Sequence, residues 1–370
     1  MNNYIQNLNI GQYRGIKNLT IKNLREVNLI VGDNNSGKTS LLEAIYLLSS
    51  PHSFKNILRS SRLRDSLPFA SITPYESFIN IFPKNNDKKC ISLQADGNCG
   101  KLSLEVTGIE ETVIIDETDL QNSSPSVRHT LDKRLLGSEA LAFLGFMKSQ
   151  VASDHKELPL RFVATLRNPF YSEIKLKGIN IKYLSPISHI TENTFSNTLK
   201  NDDYKSICVQ LSRLFDPDIE DLIYMPNDIN GRAVEYIKSK TLGLMPLSTY
   251  GDGIKKVLSL ANGIAEAGGG ILLIDEIDTS IHYKYYADIF NFLIKASLKF
   301  NVQLFITTHS EEAIFEILKT QNYDLESPTE NDIINVITFR KNKSGDIRAR
   351  SMNGFEVYTN QQMFDFEVRI

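Results

Sequence analysis

The segment VNLIVGDNNSGKTSLLEAIYLL, Val27 to Leu48, joins an apolar run, a glycine-containing loop and a second apolar run with helical spacing. Its centre, GDNNSGKT (Gly32–Thr39), matches the G-x-x-x-x-G-K-[ST] pattern. The spacing predicts a strand over Val27–Val31 and a helix over Lys38–Leu48. That is the context in which the pattern works. Backbone N–H groups of Gly32, Asp33, Asn34, Asn35, Ser36 and Gly37, and those of the first helical turn to Ser40, point toward an anion. Lys38 can reach the β- and γ-phosphates of a nucleoside triphosphate, and the Thr39 hydroxyl can ligate Mg²⁺. A plain glycine turn before an ordinary helix is the competing reading, and both flanks weigh against it.

A second apolar run, ILLI (Ile271–Ile274), follows three glycines and ends in Asp275, Glu276 and Asp278. Clustered carboxylates repel one another, so they call for a cation, a proton-transfer role or a partner surface. Beside a phosphate loop, a strand-terminal Asp275 can hold the magnesium shell, and Glu276 can orient and activate the attacking water. A third apolar run, VQLFITT, leads to His309, placed to sense the γ-phosphate through a hydrogen bond. Ser310 reads as an N-cap, with Glu311 and Glu312 in the first turn of the helix over 311–319.

The rest of the chain supplies the frame. Strands are expected near 4–10 and 18–23, then at 90–94, 101–107 and 112–116 as a small antiparallel sheet. Residues 120–230 have a broken pattern: a helix at 135–150, a strand-like LRFVATL and a helix near 202–214. The stretch 232–240 suits either helix or strand. Helices over 254–267 and 284–300 alternate with the apolar strands, which implies βαβ connections and a largely parallel sheet. The segment IINVITFRKNKSGDIRARSM reads as a closing hairpin. The expected division is an N-terminal lobe (1–119), an inserted, mainly helical lobe (120–240) and a C-terminal lobe (241–370).

Over 370 residues, 41 basic and 44 acidic side chains give a net charge of -3, so no global attraction to nucleic acid follows. Lys55, Arg59, Arg62 and Arg64 form a local basic run, which suits a solvated helix face as well as a binding patch. Cys90, Cys99 and Cys208 have no metal-ligand spacing, and their odd number suits a reducing, cytoplasmic setting. No signal segment or membrane span is visible in the sequence.

With these stretches in order, NLNIGQYRGIKNLTI, GDNNSGKT, PLSTYGDGIKKVLSLA, ILLIDEIDTSIH and LFITTHS, the chain resembles an ATP-binding cassette ATPase of the RecF and SMC type. Within that class it looks most like the OLD-like abortive-infection ATPases. The resemblance implies an α/β P-loop NTPase fold of the ABC-head type, with an N-terminal antiparallel β subdomain, and ATP and Mg²⁺ as cofactors. It implies two heads packed head to tail, as a homodimer or higher even-numbered assembly. It makes STYGDG the signature segment, with Ser248, Gly251 and Gly253 binding the γ-phosphate held by the other head, and Thr249 as the alternative to Ser248. Asp278 falls where the family places an acidic dimer contact, though it also suits a turn cap; Gln94 stands at the distance of the magnesium-binding glutamine, and His282 matches a histidine of the following helix.

Two departures from the family pattern narrow the function. No heptad-bearing arm is present, and the residues after His309 leave no room for a Toprim nuclease. The expected output is therefore control of a separately encoded effector, a nuclease or toxin in antiphage defence. The alternatives are a RecF-like DNA-binding ATPase, a nucleotide-dependent scaffold and a transporter subunit.

Overall fold

The computed structural model describes residues 4–63, 72–84, 87–121, 135–165, 178–195, 198–226, 233–324, 332–342 and 345–364. Arg64 of the basic run and the hairpin-tip residues 343–344 lie outside the described residues. In chain order the first part runs β1 (Asn7–Tyr13), β2 (Ile16–Ile21), β3 (Val27–Gly32), α1 (Lys38–Leu47), α2 (Phe54–Ser61), α3 (Pro74–Ile79), β4 (Lys89–Asp96), β5 (Leu102–Ile114) and α4 (Glu117–Gln121). The middle part gives β6 (Glu139–Val151), β7 (Asp154–Val163), β8 (Ile181–Leu184), α5 (Ser188–Thr191), α6 (Asp202–Ser212), β9 (Ile219–Pro226) and β10 (Ala233–Ser239). Then follow β11 (Gly243–Pro246), α7 (Asp252–Glu266), β12 (Ile271–Ile274), α8 (Tyr286–Lys299), β13 (Gln303–Thr307), α9 (Glu311–Lys319), β14 (Ile334–Lys341), β15 (Ile347–Asn353) and α10 (Gly354–Phe364).

The central sheet has the order β15-β14-β3-β13-β12-β8, parallel from β14 to β8 with β15 antiparallel at one edge. A parallel sheet needs cover on both faces, and the period of two in its strands supplies it. Leu29 and Val31, Leu272 and Ile274, and Leu304 and Ile306 face one core, shared with α7, α8 and α9. Ile30, Ile271, Leu273 and Phe305 face the other, shared with α1 and the second sheet. Because the strands are parallel, Gly32, Ile274, Thr307 and Leu184 all end at one edge of this sheet. Loops at that carboxyl edge are where open α/β sheets bind ligands.

The second sheet is antiparallel, β2-β1-β4-β5-β6-β7, and its inner face packs on α1 through Leu8, Ile10, Ile91 and Leu93. A third, three-stranded sheet, β11-β10-β9, precedes α7. Among the described residues no helix is long and apolar enough to cross a membrane.

The P-loop architecture and the antiparallel subdomain are as expected, but among the described residues of 120–240 strands outweigh helices. The helix expected at 135–150 is strand β6, and it pairs with β5 along its whole length, from Leu102↔Val151 to Ile114↔Glu139. Ala, Leu, Phe and Met make this stretch look helical, but local propensity is weak beside thirteen residues of cross-strand register. Gly145 marks the strand: it faces Gly108, and a Cβ there would lie 2.0 Å from the Thr107 carbonyl oxygen. The described residues of 120–240 hold five strands, β6 to β10, beside α5, α6, a 3-10 turn at Thr198–Lys200 and helical residues at 120–121 and 135. The strands expected at 101–107 and 112–116 are one strand, β5, because GIEE does not turn.

Candidate functional site

The loop after β3 is held in shape by glycines whose replacement has no room. Gly32 has φ +139, and a Cβ there would lie 2.3 Å from the Phe339 carbonyl oxygen of β14. Gly37 has φ +103 and N-caps α1, with a would-be Cβ 2.7 Å from Ile347 Cδ1. Between them Asp33, Asn34 and Asn35 are exposed, while Ser36 is buried and its hydroxyl has no hydrogen-bond partner. Lys38 folds back over the loop, and its Nζ donates to the carbonyl oxygens of Gly32 and Asp33, both at 2.7 Å. Burial pulls the Lys38 ammonium down to about 8, against the opposing pull of Asp275, Asp33 and Glu276. An unpartnered buried hydroxyl and a lysine at the mouth of a helix N-terminus make a phosphate cradle.

The acidic segment meets this cradle. Thr39 Oγ1 donates to Asp275 Oδ1 at 3.2 Å, which joins the start of α1 to the end of β12 across β13. Asp275 is buried and accepts two further hydroxyls: Thr307 donates to Oδ1 at 2.6 Å and Tyr183 to Oδ2 at 3.1 Å. A hydroxyl and a carboxylate beside a phosphate cradle fit Mg²⁺, which takes one or two protein oxygens and fills its other positions with water and phosphate. Among the described residues there is no cluster of three or more His, Cys, Asp or Glu suited to holding a metal.

Glu276 has φ +49, a left-handed conformation that ordinary side chains rarely adopt. Its N–H is fixed by the Thr307 hydroxyl at 2.8 Å, and its Oε2 accepts from Thr279 Oγ1 at 3.3 Å. Strain of this kind is held by its surroundings and gathers at working sites. Asp278 accepts from the Thr308 hydroxyl at 2.5 Å. His309 follows on the same loop. Burial and the Lys38 ammonium hold its imidazole below the usual range, opposed by Glu276, Asp278 and Asp275. The structure therefore gathers Lys38, Thr39, Asp275, Glu276, Asp278 and His309 at one edge of the sheet.

Other expected residues are not brought there. Gln94 lies on the exposed face of β4, opposite Asn9 and Ser103, while its neighbours Leu93 and Ala95 turn inward toward α1. The magnesium-contact reading of Gln94 has no support in this geometry, because alternation along the strand turns its side chain outward. Ser248 and Gly251 are exposed at the approach to α7, and Gly251 is its N-cap. Thr249 donates its hydroxyl to the Pro246 carbonyl at 2.7 Å, which leaves Ser248 the less engaged of the pair. His282 caps a short 3-10 turn, accepting the Lys284 N–H at 3.3 Å. Lys55 and Arg59 sit on the exposed face of α2. Arg213, at the end of α6, is exposed and donates its Nε to the Ile219 carbonyl at 2.8 Å.

Four residues at the site escaped the sequence reading. Thr307 and Thr308 stood inside LFITTHS and carried no distinguishing signal beyond their place before His309. Tyr183 lies on the four-residue edge strand β8, too short to be recognised by pattern. Lys256 is buried on α7, in line with Leu260 and Ile264 at helical spacing, and a lysine in an apolar stripe was a usable signal.

A phosphate loop on a central strand, an Asp-Glu pair ending the parallel strand two places away, and a packed antiparallel subdomain define a P-loop ATPase of the ABC-head type. Residues 27–314 match the family described as "AAA domain, putative AbiEii toxin, Type IV TA system", and the chain belongs to that family. An "ATP/GTP phosphatase" of Helicobacter pylori is 24% identical over 352 residues, covering 85% of this chain and 87% of that protein. A "DNA replication and repair protein RecF" of Francisella tularensis is 27% identical over 368 residues, covering 87% of this chain and 99% of that protein. Among solved structures, the Smc head domain with an extended coiled coil, bound to the C-terminal domain of ScpA and derived from Pyrococcus furiosus, aligns with a TM-score of 0.51 at 12% identity. It covers 98% of this chain and 100% of that one, a likeness of fold alone.

Proposed function

We propose that this ATPase hydrolyses ATP within a head-to-tail pair of its own copies, and that closure of the pair controls a separately encoded effector, a nuclease or toxin, in the cytoplasm during antiphage defence. The observation that carries the reading is the split of the site. Lys38, Thr39, Asp275 and Glu276 stand together, while Ser248 and Gly251 are exposed and Gly253 partly exposed at the N-terminus of α7, and among the described residues no hydrogen bond or ion pair joins the two groups. Pairing two copies about a two-fold axis brings each signature segment to the other copy's phosphate loop and completes two sites at once.

In this reading Lys38 and the loop N–H groups hold the phosphates, and Thr39 and Asp275 would hold Mg²⁺, which supplies charge neutralisation at the phosphates. Glu276 orients the attacking water, His309 donates to the γ-phosphate, and Asp278 contacts the opposite head. The family description, which names a putative AbiEii toxin and a Type IV TA system, supports a link between this ATPase and a toxin system. The RecF relative, matched over 99% of its length, supports the second reading, a DNA-binding ATPase of repair or recombination.

Glu276→Gln tests the first. Turnover is expected to fall by about 10²–10⁴-fold, the usual range for removing a positioned base. On a sizing column the variant is expected to run as a dimer with ATP and as a monomer with ADP; a monomer in both refutes the paired-head reading. DNA affinity that falls steeply with salt would move the weight to the second reading.

A further inference from the structure

Lys256 is 3% exposed, on the first turns of α7, three residues after Gly253. Its Nζ donates to two main-chain carbonyls, those of Glu276 and Pro186, each at 3.4 Å. No carboxylate forms an ion pair with it among the described residues; Asp278, Asp275 and Glu276 act on it only as nearby charges. A buried ammonium with carbonyl partners is a poor way to fill space, since an apolar side chain of similar volume would avoid the desolvation penalty. The position therefore asks what the ammonium does.

Its partner gives the answer. Glu276 is the residue in the left-handed conformation, and its two peptide neighbours are anchored from opposite sides. The N–H is held by the Thr307 hydroxyl of β13, and the C=O by Lys256 of α7. With both ends fixed, the backbone sets the Cα–Cβ direction of Glu276, and Thr279 Oγ1 engages the carboxylate itself. Through the Pro186 carbonyl the same ammonium also holds the loop after β8, the strand that carries Tyr183 to Asp275.

We infer that Lys256 is a positioning residue for the ATPase reaction: it ties the signature helix α7 to the peptide of Glu276 and so sets the aim of the catalytic carboxylate. A displacement of the N-terminus of α7 is then transmitted to Glu276 in the same copy through one side chain. The inference rests on the reading of Glu276 as the base.

The test compares Lys256→Met, Lys256→Arg and Glu276→Gln in the full chain, by steady-state release of phosphate from ATP and by thermal melting. Lys256→Met is expected to lower kcat on the order of 10–100-fold, the scale of a misplaced catalytic group. KM for ATP is expected to stay within about two-fold, because the phosphate loop is untouched. The melting temperature is expected to hold or rise, since methionine removes a buried charge. Lys256→Arg, which keeps donors to both carbonyls, is expected to recover turnover. An unchanged kcat, a raised KM, a lowered melting temperature in Lys256→Met, or no recovery in Lys256→Arg each overturns the inference. If Glu276→Gln turns over normally, the base assignment fails and the inference falls with it. If Glu276→Gln is inactive and Lys256→Met is normal, the inference alone fails.

Discussion

Replacing Thr307 with valine removes one hydroxyl from the centre of the site and little else in shape. That hydroxyl donates to Asp275 Oδ1 at 2.6 Å and accepts the Glu276 N–H at 2.8 Å, and the residue has no exposure to water. Losing a bond to an ionised carboxylate costs about 1.5–3 kcal/mol, and leaving the Glu276 N–H unpaired costs about 1–3 kcal/mol. The two bonds share one oxygen, so they do not add in full, and a loss of about 2–4 kcal/mol of folding stability is expected. Activity falls for a separate, geometric reason: Glu276 loses one of the anchors that hold its left-handed backbone. A fall of about 10–100-fold in kcat is expected, equal to about 1.4–2.7 kcal/mol at the transition state. Thr307→Ser keeps the hydroxyl and loses a buried methyl, for about 1 kcal/mol of stability and little change in rate. Phosphate release and urea unfolding of the three proteins separate the cases. Wild-type kcat in Thr307→Val, or equal damage in Thr307→Ser, would show that the hydroxyl is not what aims Glu276.

Further expectations concern stability and the loop. Burial lowers the Lys256 ammonium to about 8, from 10.5 for an exposed lysine. Between those values the unfolded chain binds more protons than the folded one, so this residue makes stability rise with pH across that window, by on the order of 3 kcal/mol. Urea unfolding of wild type at pH 7.5 and 10 should show this slope relative to Lys256→Met, which lacks the group; identical slopes would mean that the ammonium is not desolvated. Glu43 is fully buried on α1, with Arg14 Nε at 2.7 Å. Arg14→Met leaves that carboxylate without its cation and is expected to lower stability by about 3–5 kcal/mol, while the double change Arg14→Met/Glu43→Met recovers most of it; a double mutant no better than the single one contradicts this. Gly32→Ala puts a Cβ 2.3 Å from a carbonyl oxygen at φ +139 and is expected to abolish binding of a fluorescent ATP analogue. Retained nucleotide affinity in that variant would mean that the loop re-forms around the new methyl.

What was legible in the sequence was whatever local chemistry demands by itself. A phosphate loop needs its glycines and lysine at fixed offsets, and a strand ending in Asp-Glu is visible as apolar run followed by charge. Those two signals were enough to place Thr39 against Asp275, although the residues are far apart in sequence. What was not legible depends on which strands meet. Nothing in LAFLGFMKSQV says that it will extend β5, because its composition serves helix and strand alike and the register is set by its partner. Gln94 illustrates the same limit from the other side. Its distance from the phosphate loop in the sequence suited the expected role, but a one-residue difference in register decides which face of β4 it occupies, and it faces outward.

The end of β13 explains why the acidic segment can hold three carboxylates in one place. Thr307 serves Asp275 and the Glu276 N–H, Thr308 serves Asp278, and His309 stands within reach of the charge of Lys38 and Glu276. Three consecutive residues thus each serve a different part of the segment that ends β12. The pairing Ile274↔Ile306 fixes that correspondence, and a slip of one residue would offer each carboxylate the wrong partner. Ser310 then caps α9, accepting the Ala313 N–H at 3.1 Å, so the strip is clamped at its far end as well. The repulsion within the acidic segment is therefore met by hydroxyl donors from the neighbouring strand and by the Lys38 and Lys256 ammonium groups nearby. Carboxylates stabilised by donors on one side keep their remaining lone pairs for a cation or a water, which is the condition a hydrolytic site requires.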